Sequence, residues 1–350
     1  MQVSNTIFSS EQLVKLGLVG VLALGILVGV IFPQLSVEAQ SMDPQNYVVM
    51  AGGGAPFNTD VLAFAPHSLQ VHRGDTIMWA VAGFHNIHLA PTVTEAIIAP
   101  EVNGQPLPQV NPAVAFPSVE NGGVFTGGDA NSGLSLDPAN PMVTFSLVID
   151  AEPGTYAYFC DIHPGMSGTI TVVDDATVIP APAEALAAGA VELAMGAGGG
   201  VEAAIGASLQ PPTTDDEGAL QVTAALQTGP AETLQFFPSV AVVEAGQSVT
   251  WTVPNNAMSP HTVTWPFIPP GSEFDIVPQD GGPPMIVLNE NGFPSQENGA
   301  EITNGDGFNT GFIMPGQSFT LKFTEPGVYN YVCFIHSGMQ GAVVVMPATA

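Results

Sequence analysis

Pro153-Gly154-Thr155-Tyr156-Ala157-Tyr158-Phe159-Cys160-Asp161-Ile162-His163-Pro164-Gly165-Met166 returns later in the same chain as Pro326-Gly327-Val328-Tyr329-Asn330-Tyr331-Val332-Cys333-Phe334-Ile335-His336-Ser337-Gly338-Met339. Each copy begins at a Pro-Gly corner and runs through Tyr-x-Tyr, an alternation that suits a strand. Cys-x-x-His-x-x-Met follows, then a glycine (Gly168 or Gly341) and a second apolar run, so the motif reads as a short loop between two strands. Upstream, further phrases recur in the same order. Phe64-Ala65-Pro66 and Val71-His72-Arg73-Gly74-Asp75-Thr76-Ile77-Met78-Trp79 are answered by Phe237-Pro238 and Val243-Glu244-Ala245-Gly246-Gln247-Ser248-Val249-Thr250-Trp251. His85-Asn86-Ile87 is answered by His261-Thr262-Val263, and Pro117-Ser118-Val119-Glu120-Asn121-Gly122 by Pro294-Ser295-Gln296-Glu297-Asn298-Gly299. A duplicated module explains the order.

Within each copy, short alternating runs such as Thr169-Ile170-Thr171-Val172-Val173 and Ser318-Phe319-Thr320-Leu321-Lys322-Phe323 are punctuated by Gly and Pro, which number 39 and 32 in 350 residues. The fold class read from this is all-β, two antiparallel sandwiches. The expected boundaries are 1–42 for an N-terminal segment, 43–175 for the first domain, 176–217 for a linker and 218–350 for the second domain. The linker (APAEALAAGAVELAMGAGGGVEAAIGASLQPP) is Ala/Gly/Pro-rich, and Gly198-Gly199-Gly200 with the flanking prolines would interrupt a helix, so a mobile or partly ordered connection is expected. A helix packed on one sandwich is the alternative. The stretches Pro91 to Pro141 and Pro266 to Pro315 read as elaborated loops.

Only Lys15, Arg73 and Lys322 carry fixed positive charge against 31 acidic residues, so no nucleic-acid backbone could be neutralised and that class of partner is excluded. The net charge of −28 would steer towards cationic partners, or adapt the surface to an acidic or salty medium. Leu16 to Phe32 is an uninterrupted apolar run of about 17 residues, read as an N-terminal hydrophobic helix, and Val37-Glu38-Ala39 has the form of a cleavage site. Membrane anchor and cleaved signal both remain open. Either places the rest of the chain outside the cytoplasmic membrane, periplasmic or at the cell surface.

Two cysteines in an exported chain would first suggest a disulfide. The neighbouring His and Met argue against it. Each half holds one thiol, two imidazoles and one thioether: His85, Cys160, His163 and Met166, then His261, Cys333, His336 and Met339. Soft sulfur donors favour Cu(I) and imidazoles also suit Cu(II), so one set serves both oxidation states of a type 1 copper. His261 and His336 are the only histidines of the second half. His67, His72 and His88 are extra and read as surface residues, His88 pointing away from His85 by strand alternation. Trp79 and Trp251 read as core aromatics, and Asp161 as a group that alters the field at the first metal or as turn polarity.

These motifs resemble the cupredoxin family, the Cys-x-x-His-x-x-Met loop being similar to that of amicyanin and the rest to plastocyanin and pseudoazurin. The resemblance implies two Greek-key β-sandwich domains and two type 1 copper ions, one held by His85, Cys160, His163 and Met166, the other by His261, Cys333, His336 and Met339. It implies an extracytoplasmic electron carrier rather than an enzyme, with redox protein partners that are cationic or membrane-bound. Two alternatives stand beside it. One is a copper oxidoreductase resembling multicopper oxidases or nitrite reductases. Its extra catalytic histidines would flank the cysteines, where this chain has Phe159, Asp161, Val332 and Phe334, or occur as His-x-His, which is absent. The other is copper storage or delivery. Two departures from the family are the long loops and Thr262 in the place of an Asn that Asn86 keeps. Such groups orient ligand loops, so the two coppers are expected to differ in potential.

Overall fold

The alternation of Thr76–Val81, whose residues are buried one in two, is the local signal from which the first sandwich is built. Asn46–Ala51 and Thr144–Ile149 repeat that pattern and flank it, so that one face of the sheet is apolar. The computed structural model describes residues 43–102, 104–135 and 141–349. The N-terminal apolar run lies outside them. Among the described residues no helix is long and apolar enough to cross a membrane.

The first sheet runs Gly123–Phe125, Thr144–Ile149, Thr76–Val81, Asn46–Ala51, Phe64–Ala65, and the opposing sheet runs Ala130–Asn131, His88–Leu89, Gly154–Phe159, Ser167–Val173, Ser68–His72. Side chains from both faces fill the space between, with Trp79 wholly buried and Tyr158 edge-on to it at 5.6 Å. The second half repeats this with Trp251 edge-on to Tyr331 at 5.4 Å. Both tryptophans are core residues. The sandwiches are not purely antiparallel as expected: Asn46–Ala51 runs parallel to Thr76–Val81, and Ser68–His72 parallel to Ser167–Val173, with Leu220–Thr228 and Val240–Glu244 repeating those relations. Alternation marks which face of a strand is buried and carries no information about the direction of its neighbour.

The two halves share ladders. Thr59–Val61 pairs antiparallel with Ala231–Phe237 and with Gly54–Ala55, so that two first-half strands extend a second-half sheet. The long loops do the same: Ile97–Ile98 and Gln109–Val110 join Phe274–Val277 and Met285–Leu288 in one four-stranded sheet through the pair Gln109 and Val287.

The segment expected as a mobile linker holds a 27-residue helix, Pro182–Ser208. Pro182 suits its first position, and Glu184 accepts from the Ala181 amide at 3.1 Å. Its glycines do not interrupt it. Gly189, Gly196 and Gly200 fall on one stripe and face the strands closely. A Cβ at Gly189 would lie 2.5 Å from the Pro66 nitrogen, and one at Gly200 2.7 Å from the Ala231 and Thr59 side chains. The stripe therefore touches both halves, and close backbone approach offsets the poor helix propensity of glycine, about 1 kcal/mol per residue.

Candidate metal centres

Cys160 follows directly on the strand Gly154–Phe159, and its loop is closed by backbone hydrogen bonds from the Cys160 amide to the Met166 carbonyl (3.0 Å) and from the Met166 amide to the His163 carbonyl (3.0 Å). Gly165, at φ +98°, makes the turn that this closure requires. His85 comes from the loop following Thr76–Val81. The second half repeats the closure, the Cys333 amide to the Met339 carbonyl at 2.9 Å and the Met339 amide to the His336 carbonyl at 3.2 Å, with Gly338 at φ +80°.

Three donor atoms converge in each half. Cys160 Sγ lies 3.6 Å from His85 Nδ1 and 3.5 Å from His163 Nδ1, and the two nitrogens are 3.0 Å apart. Cys333 Sγ lies 3.8 Å from His261 Nδ1 and 3.4 Å from His336 Nδ1, with 3.1 Å between the nitrogens. A trigonal ion with bonds of about 2.0 Å to nitrogen and 2.3 Å to sulfur needs donors about 3.5 Å apart, so either triangle could hold one metal. Met166 and Met339 are buried at the ends of the same loops. Both cysteines are free and buried. His85 and His261 are fully enclosed, while His163 and His336 lie nearer the rim.

The surroundings differ. In the first half Asn86 Oδ1 accepts from the Asp161 amide (2.8 Å), and Asn86 Nδ2 donates to Asp161 Oδ2 (2.8 Å). His88 is buried, with Nδ1 2.7 Å from Asp161 Oδ2 and Nε2 2.9 Å from Asp129 Oδ2. The expectation of a surface histidine fails because Asp161 also turns inward and needs a partner there. Burial pushes the His88 pKa down, and its bonds to Asp161 and Asp129 more than reverse this, raising it. His67, by contrast, is exposed and His72 half-buried. In the second half Thr262 Oγ1 takes the place of Asn86, accepting from the Phe334 amide at 3.0 Å, and Phe334 and Thr264 occupy the places of Asp161 and His88.

The far nitrogens of the buried imidazoles also differ. His85 Nε2 lies beside the Gly52 and Ala82 backbone, and burial lowers the His85 pKa to about 4. A side chain at Gly52 would lie 2.5 Å from that nitrogen. His261 Nε2 instead lies 3.3 Å from Glu232 Oε1, a wholly buried carboxylate that also accepts from Ser259 Oγ at 2.6 Å. Burial opposes the charge on His261, but the Cys333 sulfur and Glu232 raise its pKa to about 9. The two thiols diverge accordingly. Burial pushes Cys160 up to about 12, whereas at Cys333 burial is overcome by the His336 charge and by hydrogen bonds to His261 and His336, leaving it well below the thiol range. Glu232 and Ser259 were not legible as site residues. The one sequence signal is a lone carboxylate in the otherwise uncharged run Ala231–Phe237.

The two loops face the opposite halves of the molecule. Asn58 Nδ2 donates to the Ser337 carbonyl (3.1 Å) and the Leu234 carbonyl (2.8 Å), while a Cβ on Gly165 would touch Met258 Cε at 3.4 Å. His163 is pushed below its usual range by burial, by His85 and also by the charge of His336 in the other half.

A family model described as copper binding proteins, plastocyanin/azurin family, matches residues 55–173 and 223–346. Chloroplastic plastocyanin of Tetradesmus obliquus is 33% identical over 114 residues, which are 32% of this chain and 59% of that protein, so the chain spans about three fifths of that relative. Amicyanin-alpha of Methylorubrum extorquens is 29% identical over 142 residues, 36% of this chain and 90% of that one. Among solved structures, amicyanin from Paracoccus versutus is 19% identical, covering 39% of this chain and 92% of its own, with a TM-score of 0.23.

Proposed function

The chain belongs to the plastocyanin/azurin family of copper binding proteins, and from that premise we propose that it is an extracytoplasmic electron carrier with two type 1 copper centres. The observation that carries this reading is the pair of His–Cys–His triangles, built at equivalent places in two halves and each followed by a buried Met. Copper held there supplies a centre that takes up and gives back one electron with no bond made to a substrate. His85, Cys160, His163 and Met166 would hold the first ion, and His261, Cys333, His336 and Met339 the second.

The protein's own contribution is rigidity and dryness. The closing bonds from Cys160 to Met166 and from Cys333 to Met339 fix each loop from its ends, and Asn86 and Thr262 tie the residue after each cysteine to the loop bearing the buried His. A donor set that cannot relax lowers the structural change between oxidation states, and burial of both thiols keeps water from the metal. The acidic, base-poor surface suits cationic redox protein partners, and the N-terminal apolar run supports export with either anchoring or cleavage. An oxidoreductase or a copper storage protein is the competing reading.

Loading the purified protein with Cu(II) tests this. An intense blue charge-transfer band with two coppers per chain is expected, halved by Cys160→Ser or by Cys333→Ser. A colourless product refutes the proposal. Oxygen or nitrite consumption by the loaded protein favours the oxidoreductase, and loss of copper on repeated cycling favours storage.

A further inference from the structure

Glu232 is a carboxylate with no exposed side-chain surface, and its two oxygens are spent on His261 Nε2 and Ser259 Oγ. The equivalent nitrogen of the first half, His85 Nε2, lies beside the backbone of Gly52 and Ala82, with no carboxylate bonded to it among the described residues. The triangles themselves are closely alike, and the second carries a buried carboxylate bonded directly to a ligand imidazole, which the first does not. We propose, given the copper reading above, that Glu232 makes the second centre the lower-potential member of a directed pair, so that an electron entering either site comes to rest at the first.

The sign follows from electrostatics. A carboxylate accepting the Nε2–H makes the imidazole a more basic donor through Nδ1, and its charge favours the more positive Cu(II) over Cu(I). Low local polarisability keeps that charge unscreened. The first site also has a buried carboxylate, Asp161, but its oxygens are taken by His88 Nδ1 (2.7 Å), Asn86 Nδ2 (2.8 Å) and the Thr94 amide (2.7 Å) rather than by a ligand imidazole. Among the described residues the only side-chain partners of the Glu232 carboxylate are Ser259 and the ligand imidazole of His261. Asp60, the cross-strand partner of Glu232, adds charge of the same sign, and the two basic side chains among the described residues are engaged elsewhere, Arg73 with Asp150 and Glu152 and Lys322 with Glu301. The ligand loops are placed to exchange the electron. A Cβ on Gly165 of the first loop would touch Met258 of the second half at 3.4 Å, Asn58 of the first half donates to Ser337 of the second loop at 3.1 Å, and the strands bearing Asp60 and Glu232 are hydrogen-bonded to one another across the two halves. With copper held at both sites, the transfer would oxidise the second centre from Cu(I) to Cu(II) and reduce the first from Cu(II) to Cu(I), with no proton or bond moved.

Single-centre proteins separate the two potentials. Cys333→Ser leaves the first centre and Cys160→Ser the second, each titrated spectroelectrochemically after copper loading. The second centre is expected to be harder to reduce by at least tenfold in its reduction equilibrium constant, which is 59 mV for a one-electron couple. Adding Glu232→Gln to Cys160→Ser should abolish at least a tenfold part of that difference. Equal potentials, the reverse order, or a Glu232→Gln protein with unchanged potential overturns the proposal. Should Glu232→Gln not fold, the two single-centre proteins decide by themselves, since neither alters Glu232. In metal-free protein, nitrogen NMR should find His261 Nε2 protonated and His85 Nε2 lacking a carboxylate-bonded signature; alike signals for both rings refute it. Copper-free, colourless proteins throughout would instead sink the copper reading on which this rests.

Discussion

Replacing one glycine of the helix Pro182–Ser208 by alanine should destabilise the protein at position 189 and stabilise it at position 198. The intrinsic gain is the same at both, about 1 kcal/mol from helix propensity and reduced freedom of the unfolded chain. The surroundings differ. At Gly198 nothing lies within 4 Å of an added Cβ, so the whole gain remains. At Gly189 the Cβ would fall 2.5 Å from the Pro66 nitrogen, 2.6 Å from the Ala65 carbonyl carbon and 2.7 Å from its oxygen. Ordinary carbon contacts begin near 3.5 Å, so the helix must move outward by about 1 Å against a backbone that cannot yield. Overpacking of this kind costs about 1 to 3 kcal/mol, and the rigid partner argues for the upper end, leaving a net loss of about 2 kcal/mol. Thermal unfolding followed by circular dichroism reads the result: Gly198→Ala should raise Tm by about 2 °C and Gly189→Ala should lower it by about 4 °C. If both variants rise together, the helix is not docked through its glycine stripe, and its role in joining the halves falls with that result.

Two further outcomes follow from particular contacts. The His88 pKa is raised in the folded protein by Asp161 and Asp129, so its stabilising contribution is full below the unfolded value of about 6.5 and is lost as pH rises through the higher folded value. The Tm gap between the native protein and His88→Gln should therefore be wider at about pH 6 than at about pH 9, and an unchanged gap contradicts an imidazolium between two carboxylates. Asn58 stands at φ 50° and donates to the Leu234 and Ser337 carbonyls, so Asn58→Ala gives up two hydrogen bonds and puts a Cβ-bearing residue without local polar support in the left-handed region. Urea titration should show a loss of about 2 kcal/mol, and copper extraction by a chelator should become faster from the second centre than from the first; equal rates would refute the support of Ser337 by Asn58.

The candidate site was legible in the sequence to the extent that its residues are local. Cys160, His163 and Met166 lie within one seven-residue loop, and the repeat supplied a second copy against which chance spacing could be judged. His85 and His261 are distant in sequence, and only their matched positions ahead of the two loops marked them as candidates; in the structure His85 stands on the loop after Thr76–Val81 rather than on a strand. Residues that meet only through tertiary pairing were invisible. Glu232 reaches His261 because Ala231–Phe237 is laid beside the loop by sheet pairing, and His88 is buried because Asp161 is.

The alternating runs and their repetition thus determined two β-sandwiches, and the Cys-x-x-His-x-x-Met spacing determined where the donor atoms gather. Both are patterns of short range, in which adjacent residues dictate each other's geometry. The tertiary structure alone decided how the halves are joined. Gly189 and Gly200 weaken a helix when judged by propensity and strengthen it once strands such as Phe64–Ala65 and Ala231–Phe237 come within reach of its backbone. It also decided the difference between the two candidate sites. A buried carboxylate takes its meaning from the group it faces, and that pairing is set by the fold.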